Sequence, residues 1–352
     1  MADNAIKKQS RGFIPFIGSS ILIFLFFYVF SIDSISIKSP QTVIVGETMG
    51  TTYSIVIRNS YIEDKEIIKN EVDSILNVIN NSMSTYIDNS EISLFNKNKE
   101  NKPVAISEHF YSVLQKSSYY YNLSDKKFDP TINPLYELWG FRSDRFLDEP
   151  TEEDVIKTMD FVGFDKIVID QDFQTIFKKN KEVSLDFSAI AKGYAVDVIS
   201  EHLASKEYLN HFVEIGGEIR TASNNEKWLI GIQNPFGDQS VNIVSALNKA
   251  IATSGNYVNY IEYLDTGSIK THIIDPITGF PLDIKDGSIS SATVISNNCI
   301  DADALATILM LLDINSGVKL IEALTDSEAF IIYIKDGKLK TRQTSGFEKY
   351  IQ

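Results

Sequence analysis

Val183-Ser-Leu-Asp-Phe-Ser-Ala-Ile-Ala-Lys-Gly-Tyr-Ala-Val-Asp197 is where the periodicity of this chain changes. Val183, Leu185 and Phe187 alternate with polar residues, which predicts a strand. Small and apolar residues at helical spacing follow from Ala189 to Ala195, which predicts a helix directly after it. Asp186 sits at the junction. A helix start carries unsatisfied N–H groups and a partial positive charge, so it suits phosphate. Gly193 permits close approach to the backbone. Lys192 adds a point charge, and Asp186 can fix a ligand donor or help hold a cation. A buried strand–helix junction with a capping Asp explains the same residues.

Outward from this segment, Thr42–Val45 and Thr52–Arg58 read as strands. Residues 62–80 read as a helix with Ile67, Ile68, Val72, Ile75, Leu76 and Ile79 on one face. Residues 107–122 form another. Thr151-Glu-Glu-Asp154 is a helix start with Thr151 as N-cap. Residues 166–170 and 175–178 suit a hairpin. After His211 strands dominate: 212–215, 219–222, 228–233, 250–253, 258–263 and 292–296. Helices are expected at 301–312 and 316–324, and a closing hairpin at 328–335 and 338–343 about Asp336-Gly337. Helices early and sheet late give an α+β fold, one compact domain over residues 42–352.

The chain has 352 residues and a formal net charge of −14. Nucleic acid is excluded as a partner, because phosphate backbones call for a basic face. One local Lys and a metal ion still suffice for a small phosphate ligand. The single Cys, Cys299, allows no internal disulfide and lies far from any lipoprotein anchor position. Residues 1–12 are a basic flank carrying Lys7, Lys8 and Arg11. Residues 13–32 are uncharged and close to the roughly 20 residues that span a bilayer. No Ala-x-Ala site follows, so the expectation is an uncleaved signal anchor, with a cleaved signal near Ser31 as the alternative. The basic flank belongs in the cytoplasm, which puts the tether 33–41 and the domain on the extracytoplasmic side of the inner membrane.

Several short stretches carry chemistry. Asp303 and Thr307 are four residues apart on a strongly apolar helix, so they share one face. Their oxygens suit a hard cation such as Mg²⁺. Helix capping by Asp301 or Asp303 is the alternative. His272 stands at a strand end before Asp275-Pro276 and Gly279, as a base, a phosphate contact or a structural residue. Thr253-Ser-Gly-Asn256 reads as a hydroxyl-rich turn able to bind an anion. Phe128-Asp-Pro-Thr131 with Trp139-Gly-Phe141 suits a planar ring ligand or a core loop equally. Glu214-Ile-Gly-Gly-Glu218 reads as a tight turn or bulge between strands.

The order of these motifs carries more than any one of them. Met49-Gly-Thr-Thr-Tyr53, Met83-Ser-Thr-Tyr86 with Ser90-Glu-Ile-Ser93 and Phe95-Asn96, and Phe128-Asp-Pro-Thr131 come first. Asp186–Gly193, Ile215-Gly-Gly217, Thr253-Ser-Gly255, His272–Gly279 and Ala302-Asp-Ala-Leu-Ala-Thr307 follow. Together, over roughly residues 42–345, they resemble the ApbE family, FAD:protein FMN transferases. The resemblance implies an ApbE-like (T-fold-like) domain. It implies that FAD is split at its pyrophosphate, that FMN is attached to a Thr or Ser hydroxyl of a target protein through a phosphoester, and that AMP leaves. It implies Mg²⁺ held by the Ala189 carbonyl, Asp303 and Thr307. FAD contacts are implied at Met49, Ser84, Tyr86, Asp129, Thr131, Asp186, Lys192 and His272, with His272 and Asp303 as the catalytic pair. The implied targets are membrane flavoproteins of the Na⁺-pumping quinone reductase and Rnf type. An FAD pyrophosphatase (FAD to FMN and AMP) and a flavin-binding protein without turnover are the alternatives. The chain departs from many relatives in lacking a lipid-anchor Cys. Lys192 occupies a position that varies between acidic and basic residues across the family.

Overall fold

The structure, a computed structural model, describes residues 40–62, 64–142, 148–237, 239–257, 259–263 and 266–352. The expected membrane anchor at 13–32 lies outside the described residues. No helix among the described residues is long and apolar enough to cross a membrane.

The elements in chain order are β1 (Gln41–Thr48), β2 (Thr51–Arg58), α1 (Lys65–Met83), α2 (Glu91–Lys97), β3 (Val104–Ala105), α3 (Glu108–Leu123), α4 (Asn133–Leu138) and α5 (Glu152–Met159). The middle holds β4 (Ile167–Asp170), β5 (Thr175–Lys178), α6 (Ala191–Ser205), β6 (His211–Ile215), β7 (Glu218–Ala222), β8 (Trp228–Gln233), β9 (Ser240–Ala246) and β10 (Ala250–Gly255). The chain closes with β11 (Tyr260–Glu262), β12 (Ile269–Thr271), β13 (Ile289–Ser296), α7 (Cys299–Leu311), α8 (Ile314–Glu322), β14 (Glu328–Lys335) and β15 (Lys338–Gln343).

One eight-stranded antiparallel sheet organises the domain, in the order β1-β2-β6-β7-β10-β13-β14-β15. The first two strands join strands from the second half of the chain through the β2–β6 pairing, with Tyr53 opposite Ile215. The largest core cluster lies between one face of the sheet and helices α1, α6 and α7. The β8–β9 ribbon covers the other face, where Trp228, Ile230 and Val244 meet Ile251, Ile295 and Phe330. Helices on one face of an antiparallel sheet are the α+β arrangement expected from the sequence.

Two expectations fail. Residues 183–187 form no strand. They run extended through the core, and Asn96 substitutes for a neighbouring strand: its side-chain oxygen accepts from the Leu185 N–H at 2.7 Å and its amide donates to the Leu185 carbonyl at 2.8 Å. Alternating residues here are all buried, and the backbone polar groups of Leu185 are met by an amide side chain without a ladder. Thr253-Ser-Gly255 is no turn either; it is the end of β10, with Thr253 opposite Thr293. The polar residues there pair across strands, Thr253 Oγ1 to Thr293 Oγ1 at 2.8 Å.

Candidate functional site

The site begins with two hairpin tips at one end of the sheet. Met49 and Gly50 join β1 to β2 with φ of 50° and 72°, the left-handed pair of a tight hairpin. Gly216 and Gly217 join β6 to β7 with φ of 58° and 104°. A Cβ on Gly216 would stand 2.8 Å from Thr51 Cγ2, so the two tips touch. The Gly217 N–H donates to Glu214 Oε1 at 2.7 Å and closes the second tip. Glu218 follows as the first residue of β7 and is 2% exposed.

Helix α6 arrives against this end of β7. Lys192, in its first turn, places Nζ 2.5 Å from Glu218 Oε2. The next residue, Gly193, donates its N–H to Asp303 Oδ2 on α7 at 2.9 Å. A Cβ on Gly193 would come within 2.4 Å of the Cys299 carbonyl oxygen and 2.8 Å of Asp303 Cβ, so only glycine allows this crossing. A helix continued back one turn would direct the Gly193 N–H to the Ala189 carbonyl; here Asp303 takes that N–H. One turn along α7, Thr307 Oγ1 lies 3.3 Å from Ser254 Oγ of β10. Ala189, Lys192, His272 and Thr307 all keep part of their surface open.

Electrostatics single out this cluster. Burial pushes the carboxyls of Asp303 and Glu218 above the usual range, against the pull of Lys192. Burial alone would lower Lys192; Glu218 and then Asp303 outweigh it and hold the ammonium above its ordinary value. Two buried carboxylates thus share one ammonium, and the fully ionised cluster carries one excess negative charge. His272 follows β12. Its Nδ1 lies 3.1 Å from the Asn259 carbonyl, which assigns the ring proton to Nδ1 and leaves Nε2 an acceptor. Burial first, and then the Lys192 charge, hold its pKa below the ordinary 6.5, so it is neutral at pH 7.

The other expected contacts fall into a second group. Asp186 has a side chain 1% exposed and forms an ion pair with Arg142. Its Oδ1 accepts from the Ser188 N–H at 2.7 Å. The Arg142 guanidinium lies 4.7 Å from the ring centre of Tyr86 and 5.5 Å from that of Tyr136. Ser84 ends α1; its carbonyl accepts from Ser90 Oγ at 2.6 Å, and its hydroxyl from the Tyr86 N–H at 3.3 Å. Tyr86 itself is 80% exposed. Asp129 and Thr131 make their bonds within the chain: Asp129 Oδ1 accepts from the Thr131 hydroxyl at 2.6 Å, and Thr131 Oγ1 from the Gly163 N–H at 2.7 Å. They fasten the 128–131 loop to Gly163-Phe164. Trp139 is core, packed with Ile132, Tyr263 and Ile274, and its Nε1 donates to the Gly279 carbonyl at 2.8 Å. Of the two readings of Trp139, the core one holds. Neither Asp301 nor Asp303 caps α7. Asp301 accepts from Lys116 at 2.6 Å and Tyr120 at 2.8 Å, while the cap comes from Asp197 on α6.

Comparison with known proteins bears on the family and the fold. The model of the ApbE family matches residues 49–331. The FAD:protein FMN transferase of Vibrio cholerae is 36% identical over 320 residues, covering 89% of this chain and 93% of that protein. The FAD:protein FMN transferase of Haemophilus influenzae is 34% identical, covering 86% and 90%. A solved structure, the flavin transferase ApbE from Vibrio cholerae, superposes with a TM-score of 0.79 at 34% identity, covering 89% of this chain and 99% of that one. The chain belongs to the ApbE family. It is a flavin transferase of that family, and its fold is the mixed helix-and-sheet ApbE fold.

Three residues that hold this region together carry no signal in the sequence. Glu218 looked like a strand start after a Gly-Gly turn, and a lone Glu there signals nothing. Arg142 follows the Trp139-Gly-Phe141 stretch and carries no motif of its own. Asp197 ended the opening segment without a role. Residue spacing reveals partners on one element; these three act across elements.

Proposed function

We propose that this chain splits FAD at its pyrophosphate and transfers FMN to a Thr or Ser hydroxyl of a target protein, releasing AMP. The observation that carries the reading is the buried, under-compensated Asp303 of α7, which meets the first turn of α6 at Gly193 and stands one helical turn from Thr307. The donor set fits Mg²⁺: a carboxylate and a hydroxyl, both hard oxygens, beside excess buried negative charge. The Ala189 carbonyl, one residue before the Ile190 cap of α6, would be the third ligand. Among the described residues no three His, Cys, Asp or Glu side chains converge as a metal site. A set of one Asp, one Thr and one backbone carbonyl is of a different kind. Bound there, Mg²⁺ would neutralise charge on the pyrophosphate.

The chain's own groups do the rest. The N-terminal turn of α6 and Lys192 face the phosphates. Neutral His272 offers Nε2 to the proton of the acceptor hydroxyl as the new oxygen–phosphorus bond forms and the bridging bond to AMP breaks. The nucleophile arrives on the partner, so no Ser–His–Asp set is needed. The apolar run 13–32 supports a single-pass anchor with the domain outside the cytoplasm, and membrane flavoproteins of the Na⁺-pumping quinone reductase or Rnf type as targets. The test is incubation with FAD, Mg²⁺ and a Thr-bearing target domain. AMP release with a mass gain of FMN on the target is expected. AMP without the mass gain would make the chain a pyrophosphatase, and neither product would leave it a flavin-binding protein.

A further inference from the structure

Lys192 has two buried carboxylates within its electrostatic reach and pairs with one of them. Its ammonium is 2.5 Å from Glu218, whose side chain is 3% exposed, while Asp303 receives the neighbouring Gly193 N–H instead. We propose that Glu218 is a positioning residue: it holds Lys192 away from Asp303 and so keeps Asp303 open to a divalent cation. This rests on the metal-dependent reading above and adds to it the residue that guards the ligand.

The argument is one of competition. Lys192 and Gly193 are adjacent, and Gly193 touches Asp303, so a change of rotamer on a four-carbon stem brings the ammonium to Asp303. An ammonium there would neutralise the carboxylate and occupy the lone pairs a cation needs. Glu218 prevents this because it cannot leave. The Gly216-Gly217 tip is pinned by Glu214 and by contact with Thr51, and Glu218 is set as the first residue of β7. A buried carboxylate without its counter-ion is strongly unfavourable, so the Glu218–Lys192 pair is held from the Glu218 side. Lys192 keeps part of its side chain open, 29% against 3% for Glu218, so it is the mobile partner.

The experiment measures Mn²⁺ alone binding to the full chain by titration calorimetry, with circular dichroism as the fold control. Glu218→Gln frees Lys192, and its dissociation constant for Mn²⁺ is expected to rise at least tenfold. The double variant Glu218→Gln/Lys192→Met removes the competitor and should return to within about threefold of the parent. Lys192→Met alone should bind at least as tightly as the parent. Parent-like binding by Glu218→Gln overturns the proposal. So does a double variant as weak as Glu218→Gln, which would make Glu218 a ligand in its own right. If Glu218→Gln does not fold, Lys192→Met decides: weaker binding than the parent overturns the proposal. A parent that transfers FMN without binding Mn²⁺ overturns this inference and leaves transfer standing; a parent that does neither removes the proposed function itself.

Discussion

Two buried aspartates bridge α6 and α7, and they do so in opposite directions. Asp197, on α6, accepts the first N–H groups of α7, from Cys299 at 2.8 Å and Ile300 at 2.9 Å. Asp303, on α7, accepts the Gly193 N–H from the first turn of α6. Burial raises both carboxyls. At Asp197 the Arg220 guanidinium, 2.7 Å away, and two N–H groups work against that rise. At Asp303 one N–H and a Lys already paired elsewhere do so. On the proposed function, the difference separates structure from function. A carboxylate that fastens two helices has its acceptors filled; one that binds a ligand keeps them free.

Breaking the open member should abolish chemistry and spare the fold. For Asp303→Asn we expect FMN transfer to fall about 10³-fold, near 4 kcal/mol in the barrier. Stability at pH 7 should hold or rise. The sign follows from the raised pKa. The folded state holds this proton more tightly than the unfolded chain, so ionised Asp303 costs stability once pH passes the usual carboxylate range. The gain from Asn should shrink as pH falls and the native carboxyl takes up its proton. Denaturant midpoints at pH 4 and 7, beside AMP release, test both halves.

Breaking the filled member should do the reverse. Asp197→Ala leaves two N–H groups at the start of α7 without their acceptor and a partly buried guanidinium with only the longer Glu201 contact at 3.4 Å. A loss of about 3 kcal/mol is expected. Transfer per folded molecule should change far less than in Asp303→Asn. Equal losses of turnover in the two variants would end the distinction.

His272 sharpens the comparison from the acid–base side. His272→Ala should lower turnover about 10²-fold. Below its depressed pKa the ring carries a second proton and accepts none. Parent activity should therefore fall as pH drops below 6.5. The variant should lose that acid limb. A variant that flavinylates its target at the parent rate would show that another group takes the proton.

The legible parts of this molecule are those that one element decides. The β6, β7 and β14–β15 strands, the Thr151 cap, and the Asp303–Thr307 face follow from local period and capping chemistry. The ordered motifs then gave the family. What stayed hidden is set by partners distant in sequence. Residues 183–187 look like a strand because apolar and polar residues alternate, yet the hydrogen-bonding partner of Leu185 is Asn96. Thr253-Ser-Gly255 looks like a turn because its residues are small and polar. It is a strand because Thr293 lies opposite. Asp197 and Asp303 are indistinguishable as letters, and only the donors that reach them tell them apart.

Gly193 couples the two aspartates. Its missing Cβ faces the Cys299 carbonyl, beside the N–H groups that Asp197 caps, and also Asp303 Cβ. Its N–H is the bond that orients Asp303. Gly193→Ala sets a methyl at 2.4 Å from backbone that cannot rotate aside, so α6 and α7 must separate. Overpacking of this kind costs about 1–3 kcal/mol; alanine's better helix propensity returns under about 1 kcal/mol of it. Separation lengthens both bridges at once. The filled bridge tolerates it, because two N–H groups share the load and Arg220 of β7 still holds Asp197. The open bridge has one N–H, and a carboxylate released from it loses its aim at any shared ligand. The expected signature is a modest drop in denaturation midpoint with a larger fall in turnover, the two effects decoupled. A variant that loses stability and turnover in strict proportion would show that the crossing serves packing alone.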